Sequence, residues 1–309
     1  MASDKQHMLS LDKPEDESGM GNPIESKSTF CSSLMSRVLD RNNLVRALKQ
    51  VQRNKGAPGV DGMTVNDLPA FLKQHWPKIR KRLIEGTYSP KPVLRVEIPK
   101  PDGRKRKLGI PTVLDRLIQQ SIAQVLQEEW ECEFHDNSYG FRPRRRAQQA
   151  ILTAQETLRN GYDWVVDCDL EAFFDGVNHD LLMKQLETKH QDQGFLRLVN
   201  RYLKAGVEIN GRKQATTEGV PQGGPLSPVL SNVVLNNLDW ELERRGLRFV
   251  RYADDFMVFV KSQRTGTRVM KSLQRFVGES LRLTVNTQKS AVGRPWERTF
   301  LGFTFGKRE

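Results

Sequence analysis

The sequence predicts an α+β fold in which amphipathic helices alternate with β-hairpins and short apolar strands. Three observations predict it. Helical spacing of apolar residues recurs through the first half, as in Leu117, Ile118, Ile122, Val125 and Leu126. A basic segment over 93–110 alternates like a strand, turns at Pro101-Asp102-Gly103 and returns. From Tyr162 onward, short and almost wholly apolar strands stand between helices, which marks a sheet covered on both faces.

Taken in order, residues 1–28 form a polar tail: six acidic residues stand against three lysines up to Lys27, with no apolar periodicity, so disorder is expected. Apolar residues at Leu34, Val38, Leu39, Val45 and Leu48 predict one helix over 31–53. It breaks at Asn54-Lys55-Gly56-Ala57-Pro58-Gly59-Val60-Asp61-Gly62, where three glycines and a proline demand turns. A second helix covers 71–85 and ends at Gly86. After the basic hairpin, helices are expected over 115–133 and 147–158. The apolar strand 164–170 follows, and 249–260 reads as a hairpin interrupted by Tyr252-Ala253-Asp254-Asp255. Ser227 as N-cap and Pro228 at the first helical position open a helix that ends near Gly246. The change of pattern places a boundary near residue 160.

At 309 residues the chain is long enough to bury a sizeable core. Forty-nine Lys and Arg against 37 Asp and Glu give a formal charge of +12, which points to a polyanionic partner. Cys31, Cys132 and Cys168 match neither a disulfide framework nor a zinc ribbon, and a reducing cytoplasm suits them. No apolar run approaches the about 20 residues of a membrane span. The five histidines form no ligand pattern, and none is assigned to chemistry.

The carboxylates carry the chemistry. Asp167 and Asp169 lie two apart on an apolar strand, hence on one face, and Asp254-Asp255 sit at the tip of an apolar hairpin. Acids gathered among apolar strands raise one another's pKa unless cations compensate them. Oxygen ligands without nearby His favour Mg²⁺, with Mn²⁺ as an alternative. Elsewhere, Val220-Pro221-Gln222-Gly223-Gly224-Pro225 is a loop whose glycines permit close approach of backbone to a ligand.

With these motifs the chain resembles the reverse transcriptases, from about Asn54 to Phe305. The resemblance implies right-hand polymerase fingers over 29–160 and a palm over 161–309, an antiparallel palm sheet backed by helices, with the family domain over about 80–306. It implies that Asp169, at the head of Asp169-Leu170-Glu171-Ala172-Phe173-Phe174-Asp175, and Asp254 hold two metal ions. Leu170 lends a backbone carbonyl, and Asp255 supports the turn more than it ligates. By the same resemblance Phe174 excludes a 2′-hydroxyl, Gln222 lines the nucleotide pocket, Lys100 and Arg106 clamp the triphosphate at a mobile fingers tip, and Lys289 protonates the departing pyrophosphate. Gly302 allows close strand packing.

Asn54 to Gly62, Ser138-Tyr139-Gly140-Phe141-Arg142-Pro143 and Asn178-His179 resemble the group II intron branch of that family. This implies RNA-directed DNA synthesis for intron mobility, with a template of group II intron RNA, a DNA primer and dNTPs as partners. The sequence ends at Glu309, where the family continues into a thumb and a maturase domain. Other readings on the same residues are a defence-, retron- or CRISPR-associated reverse transcriptase, a DNA-templated repair polymerase and a catalytically idle RNA-binding fragment.

Overall fold

The computed structural model describes residues 33–99, 103 and 105–306. The polar tail, Cys31 and Lys100 lie outside the described residues.

The helix expected over 31–53 is two helices, α1 (Leu34–Val38) and α2 (Arg41–Asn54). Asp40 breaks it, because its side chain accepts from the Asn42 and Asn43 N–H groups and starts α2 afresh. Helix α3 (Leu68–Ile84) starts three residues before Phe71 and carries a proline in its first turn. Strands β1 (Val93–Pro99) and β2 (Lys105–Ile110) form the basic hairpin with Ile98 opposite Arg106. Helix α4 (Val113–Trp130) is capped by Thr112, which accepts from the Asp115 N–H, and α5 (Ala147–Arg159) follows.

Strand β3 (Trp164–Cys168) leads into the short α6 (Phe173–Gly176), then α7 (His179–Lys189) and α8 (Gln193–Leu203). A small hairpin of β4 (Val207–Ile209) and β5 (Arg212–Gln214) turns at Asn210 and Gly211, both left-handed with φ of 50° and 77°. An Asn-Gly pair is a strong short hairpin signal, although its flanks here are too short to alternate visibly. β4 pairs in parallel with β1 through Val93 and Val207, so the basic hairpin is tied at its base to the chain after α8.

The remaining elements are α9 (Ser227–Arg244), β6 (Arg248–Tyr252), β7 (Asp255–Val260), α10 (Gln263–Ser280), β8 (Ala291–Gly293), a 3-10 turn (Pro295–Glu297), β9 (Thr299–Phe300) and β10 (Phe303–Thr304). The central sheet runs β6-β7-β3-β8, with every neighbour antiparallel. Val166, Cys168, Phe256, Val258 and Val260 share a buried cluster with residues of α7, α9 and α10. Alternation sends Val165, Val250, Met257 and Phe259 into a second cluster, with Ala150, Ile151 and Ala154 of α5 and with Phe300 and Phe305. Both faces are therefore covered, which is why the strands read as continuous apolar runs. In the register that pairs Cys168 with Phe256, the next pair beyond the end of β3 is Asp169 with Asp255.

Candidate active site

Strand β3 stops at Cys168, one residue short of Asp169, because the chain there changes partner from β7 to the segment after α10. The Asp169 carbonyl accepts from the Asn286 N–H at 2.8 Å, and the Glu171 N–H donates to the Thr284 carbonyl at 2.8 Å. Leu170 bridges Val285, and the Asp169 N–H donates to Ser290 Oγ at 3.0 Å. Residues 283–290 thus form a rail along the Asp169 loop. The rail brings Lys289 Nζ to 3.7 Å from Asp169 Oδ2. Asp167, expected beside Asp169, is taken up by Arg298, whose Nε and Nη2 donate to Oδ2 at 2.9 and 2.8 Å. Burial pushes Asp167 up, and Arg298 opposes that shift.

Asp254 sits in the two-residue loop between Tyr252 and Asp255, preceded by Ala253 in the left-handed region at φ 58°. That strained loop is held from behind by Arg251, which is fully buried. Each of its five N–H donors has an acceptor. Nε and Nη2 reach the two Asp239 oxygens at 2.7 and 2.5 Å, Nη1 reaches Asn232 Oδ1 at 2.9 Å and the Ala253 carbonyl at 2.8 Å, and Nη2 also reaches Ser138 Oγ at 2.7 Å. The Ser138-Tyr139-Gly140 motif runs beside this strand, with the Tyr139 N–H donating to the Arg251 carbonyl at 2.9 Å. A Cβ on Gly140 would lie 2.2 Å from the Ala253 nitrogen, so only glycine fits there. Sequence reasoning missed Arg251, Asn232 and Asp239. The signal was an arginine in the middle of an apolar strand.

Around Asp169 and Asp254 opens a cavity of about 540 Å³, lined also by Leu170, Phe174, Arg106, Gln222 and Lys289. Lys105 and Lys107 line it too, two cations that sequence reasoning did not single out. Arg106 Nε donates to Gln222 Oε1 at 2.9 Å, and the Gly109 N–H donates to the Gln222 carbonyl at 2.7 Å. The hairpin and the 220–228 loop are therefore locked together. Gly223 makes this possible at φ 121°, since a Cβ there would lie 2.8 Å from the Gly109 carbonyl oxygen. Ser227 is not the N-cap of α9. Leu226 holds that position, and Ser227 Oγ instead donates to the Pro221 carbonyl at 2.6 Å, closing the loop on itself. The Phe174 ring stands 5.1 Å from that of Phe173, edge to face, and the Val220 N–H donates to the Phe174 carbonyl at 2.6 Å. His179 is buried and bonds the Gly219 carbonyl at 2.7 Å, joining α7 to the same loop.

Asp255 stands apart from the residues that line the cavity. Burial first, and then the charges of Asp167 and Asp254, push its carboxyl up to about 7, opposed by a hydrogen bond from the Leu301 backbone. Among the described residues no three His, Cys, Asp or Glu side chains converge into a ready-made metal cage. The carboxylates that line the cavity, Asp169, Glu171, Asp175 and Asp254, offer oxygen donors, with no His or Cys among the lining residues. That set fits a hard divalent cation, which takes a few carboxylates and completes its shell with water and substrate phosphates.

Residues 98–305 match the reverse transcriptase (RNA-dependent DNA polymerase) family. The chain belongs to the reverse transcriptase family. It is 35% identical over 289 residues to Protein YkfC of Escherichia coli (strain K12), covering 81% of this chain and 76% of that one. It is 36% identical over 206 residues to the group II intron-encoded protein LtrA of Lactococcus lactis subsp. cremoris, covering 66% of this chain but only 34% of LtrA. A solved telomerase from Candida albicans, in complex with a fragment of telomeric RNA, superposes with a TM-score of 0.52 at 14% identity, over 72% of this chain and 46% of that one. That likeness speaks for the fold alone. The expected α+β class and the resemblance to reverse transcriptases of the group II intron kind both hold for this reverse transcriptase. Among the described residues no helix is long and apolar enough to cross a membrane.

Proposed function

We propose that this reverse transcriptase is an RNA-directed DNA polymerase that extends a DNA primer on group II intron RNA, in the cytoplasm, for intron mobility. One observation carries the reading: a single cavity gathers Asp169, Asp254, Phe174, Gln222, Arg106 and Lys289, residues that come from five separate stretches of sequence. The likeness to LtrA supports the intron setting.

Asp169, Asp254 and the Leu170 carbonyl hold the metal, Mg²⁺ or Mn²⁺, with Asp255 behind the turn as support. Two ions bound there supply activation of the primer 3′-hydroxyl and neutralisation of the leaving pyrophosphate. Arg106, steered by Gln222, offers a planar guanidinium to the triphosphate, with Lys105 and Lys107 as further cations on the same hairpin. Lys289 Nζ, beside Asp169, is the proton source for the pyrophosphate oxygen. Gln222 and the adjacent glycines let the backbone approach the incoming nucleotide.

Phe174 stacks at the cavity wall as the barrier to a 2′-hydroxyl. Phe174→Val should lower discrimination between dNTP and rNTP by at least about tenfold, the scale that pocket shape alone can supply. Single-nucleotide incorporation of dTTP and UTP on an RNA template measures this, and unchanged sugar selection refutes the role. The parent reading is tested by primer extension on matched RNA and DNA templates. Synthesis on the RNA template is expected, and synthesis on the DNA template alone would make the protein a DNA-templated repair polymerase.

A further inference from the structure

Helix α10 carries a feature that the polymerase site does not use. Arg264, Arg268, Lys271 and Arg275 recur at intervals of four, three and four residues, so at 100° per residue they fall on one line along the helix. All four are exposed. Among the described residues none of them has an ion-pair partner. The opposite side of the helix, Gly266, Met270, Leu273 and Val277, is buried. Gly266 seats it closely: a Cβ there would come within 2.5 Å of Val292 Cγ1 and 3.4 Å of Val260 Cγ2. The stripe therefore has a fixed backing and a fixed direction. At the end of α9, Arg245, ion-paired with Glu241, packs over the Phe276 ring and donates to Ser272 Oγ at 2.8 Å, which ties α9 to this helix.

The stripe lies on the far side of the sheet from the acids. Val166, Val258 and Val260 share the cluster of α10, while alternation sends Asp167 and Asp255 to the other face, with Val165 and Met257. The stripe is thus separated from the Asp167 and Asp255 carboxylates by the thickness of the sheet. We propose that this outer face of α10 is a second nucleic-acid surface, which grips the phosphate backbone of a structured, double-stranded segment of RNA outside the catalytic cleft. Charge complementarity names the partner chemistry, since four unpaired cations over about 16 Å match about five phosphate repeats of one strand. The absence of an exposed aromatic side chain along α10 excludes a single-strand platform, which needs rings for base stacking. The choice of RNA over DNA rests on the proposed function, in which intron RNA is both template and partner.

The test uses the full chain with Arg264, Arg268, Lys271 and Arg275 changed together to Gln, a substitution that keeps helix propensity on an exposed face. Affinity for an RNA hairpin duplex is measured against salt concentration. The expected result is binding at least about tenfold weaker and a log-log salt slope shallower by about 3.6, or about 0.9 for each of the four phosphates no longer neutralised. Primer extension on a short poly(rA)/oligo(dT) substrate should be unchanged, so this inference and the polymerase reading fail independently. An unaltered slope overturns the proposal. So does an equal loss when Lys73, Lys78, Arg80 and Lys81 of α3 are changed instead.

Discussion

Asp254→Ala should abolish DNA synthesis, lowering kcat by about a thousandfold or more while leaving affinity for template-primer within about twofold. The size follows from the chemistry: a divalent ion that stabilises transition-state charge is worth several kcal/mol, and each 1.36 kcal/mol is about tenfold in rate. Asp254 occupies the tip of a two-residue loop at the cavity, which Asp169 also lines and Asp255 does not. Asp169→Ala should match it. RNA affinity should survive in both, because carboxylates repel phosphates and the proposed phosphate contacts lie on basic side chains. Synthesis above about a tenth of the wild-type rate in either variant would remove these two residues from the reaction.

The second large effect lies behind the loop. Arg251 and Asp239 form an ion pair with both side chains fully buried. Attraction within such a pair is offset by the cost of desolvating both ions, so the pair contributes little net stability against an apolar substitute. Removing one partner is another matter. Asp239→Ala leaves a guanidinium buried without its main acceptor, at a cost of about 3–5 kcal/mol, a large share of the about 5–15 kcal/mol that holds a domain together. Thermal unfolding should fall by about 10 °C, on the scale of 2–4 °C for each kcal/mol in a chain of this size. Arg251→Met with Asp239→Leu should recover most of that loss, since no charge is then stranded. It should not recover activity, because the Ala253 carbonyl loses the donor that fixes the Asp254 loop. A double variant that regains both would show that the network serves stability only.

What could be read from the sequence was local. The basic hairpin announced itself by alternation around Pro101-Asp102-Gly103, and α4 by the helical spacing of Leu117, Ile118, Ile122, Val125 and Leu126, although its Thr112 cap starts it at Val113, two residues before the expected Asp115. The motifs around Asp169, Asp254 and Gln222 kept their residue types and spacing. What could not be read depends on partners far along the chain. Nothing local shows that residues 283–290 run beside Asp169, that Arg298 takes Asp167, or that Arg251 meets Ser138 from 113 residues away. Two local cues were available and pulled the wrong way. Asp40 reads as one polar residue in a helical stretch but caps a new helix, and Ser227 before Pro228 looks like a cap while its hydroxyl is committed to Pro221. In both cases one side-chain hydrogen bond decided between two acceptable backbone paths.

The central claim is that the acids of this reverse transcriptase carry nucleotide addition through bound divalent ions, and it is tested most directly by dTTP incorporation on poly(rA)/oligo(dT) as Mg²⁺ is titrated. The account predicts no incorporation in EDTA and a saturable rise with Mg²⁺. It also predicts that Mn²⁺ can substitute, and that Asp254→Ala shows no rise at any concentration. Incorporation that persists in EDTA, or that rises equally in Asp254→Ala, would contradict it.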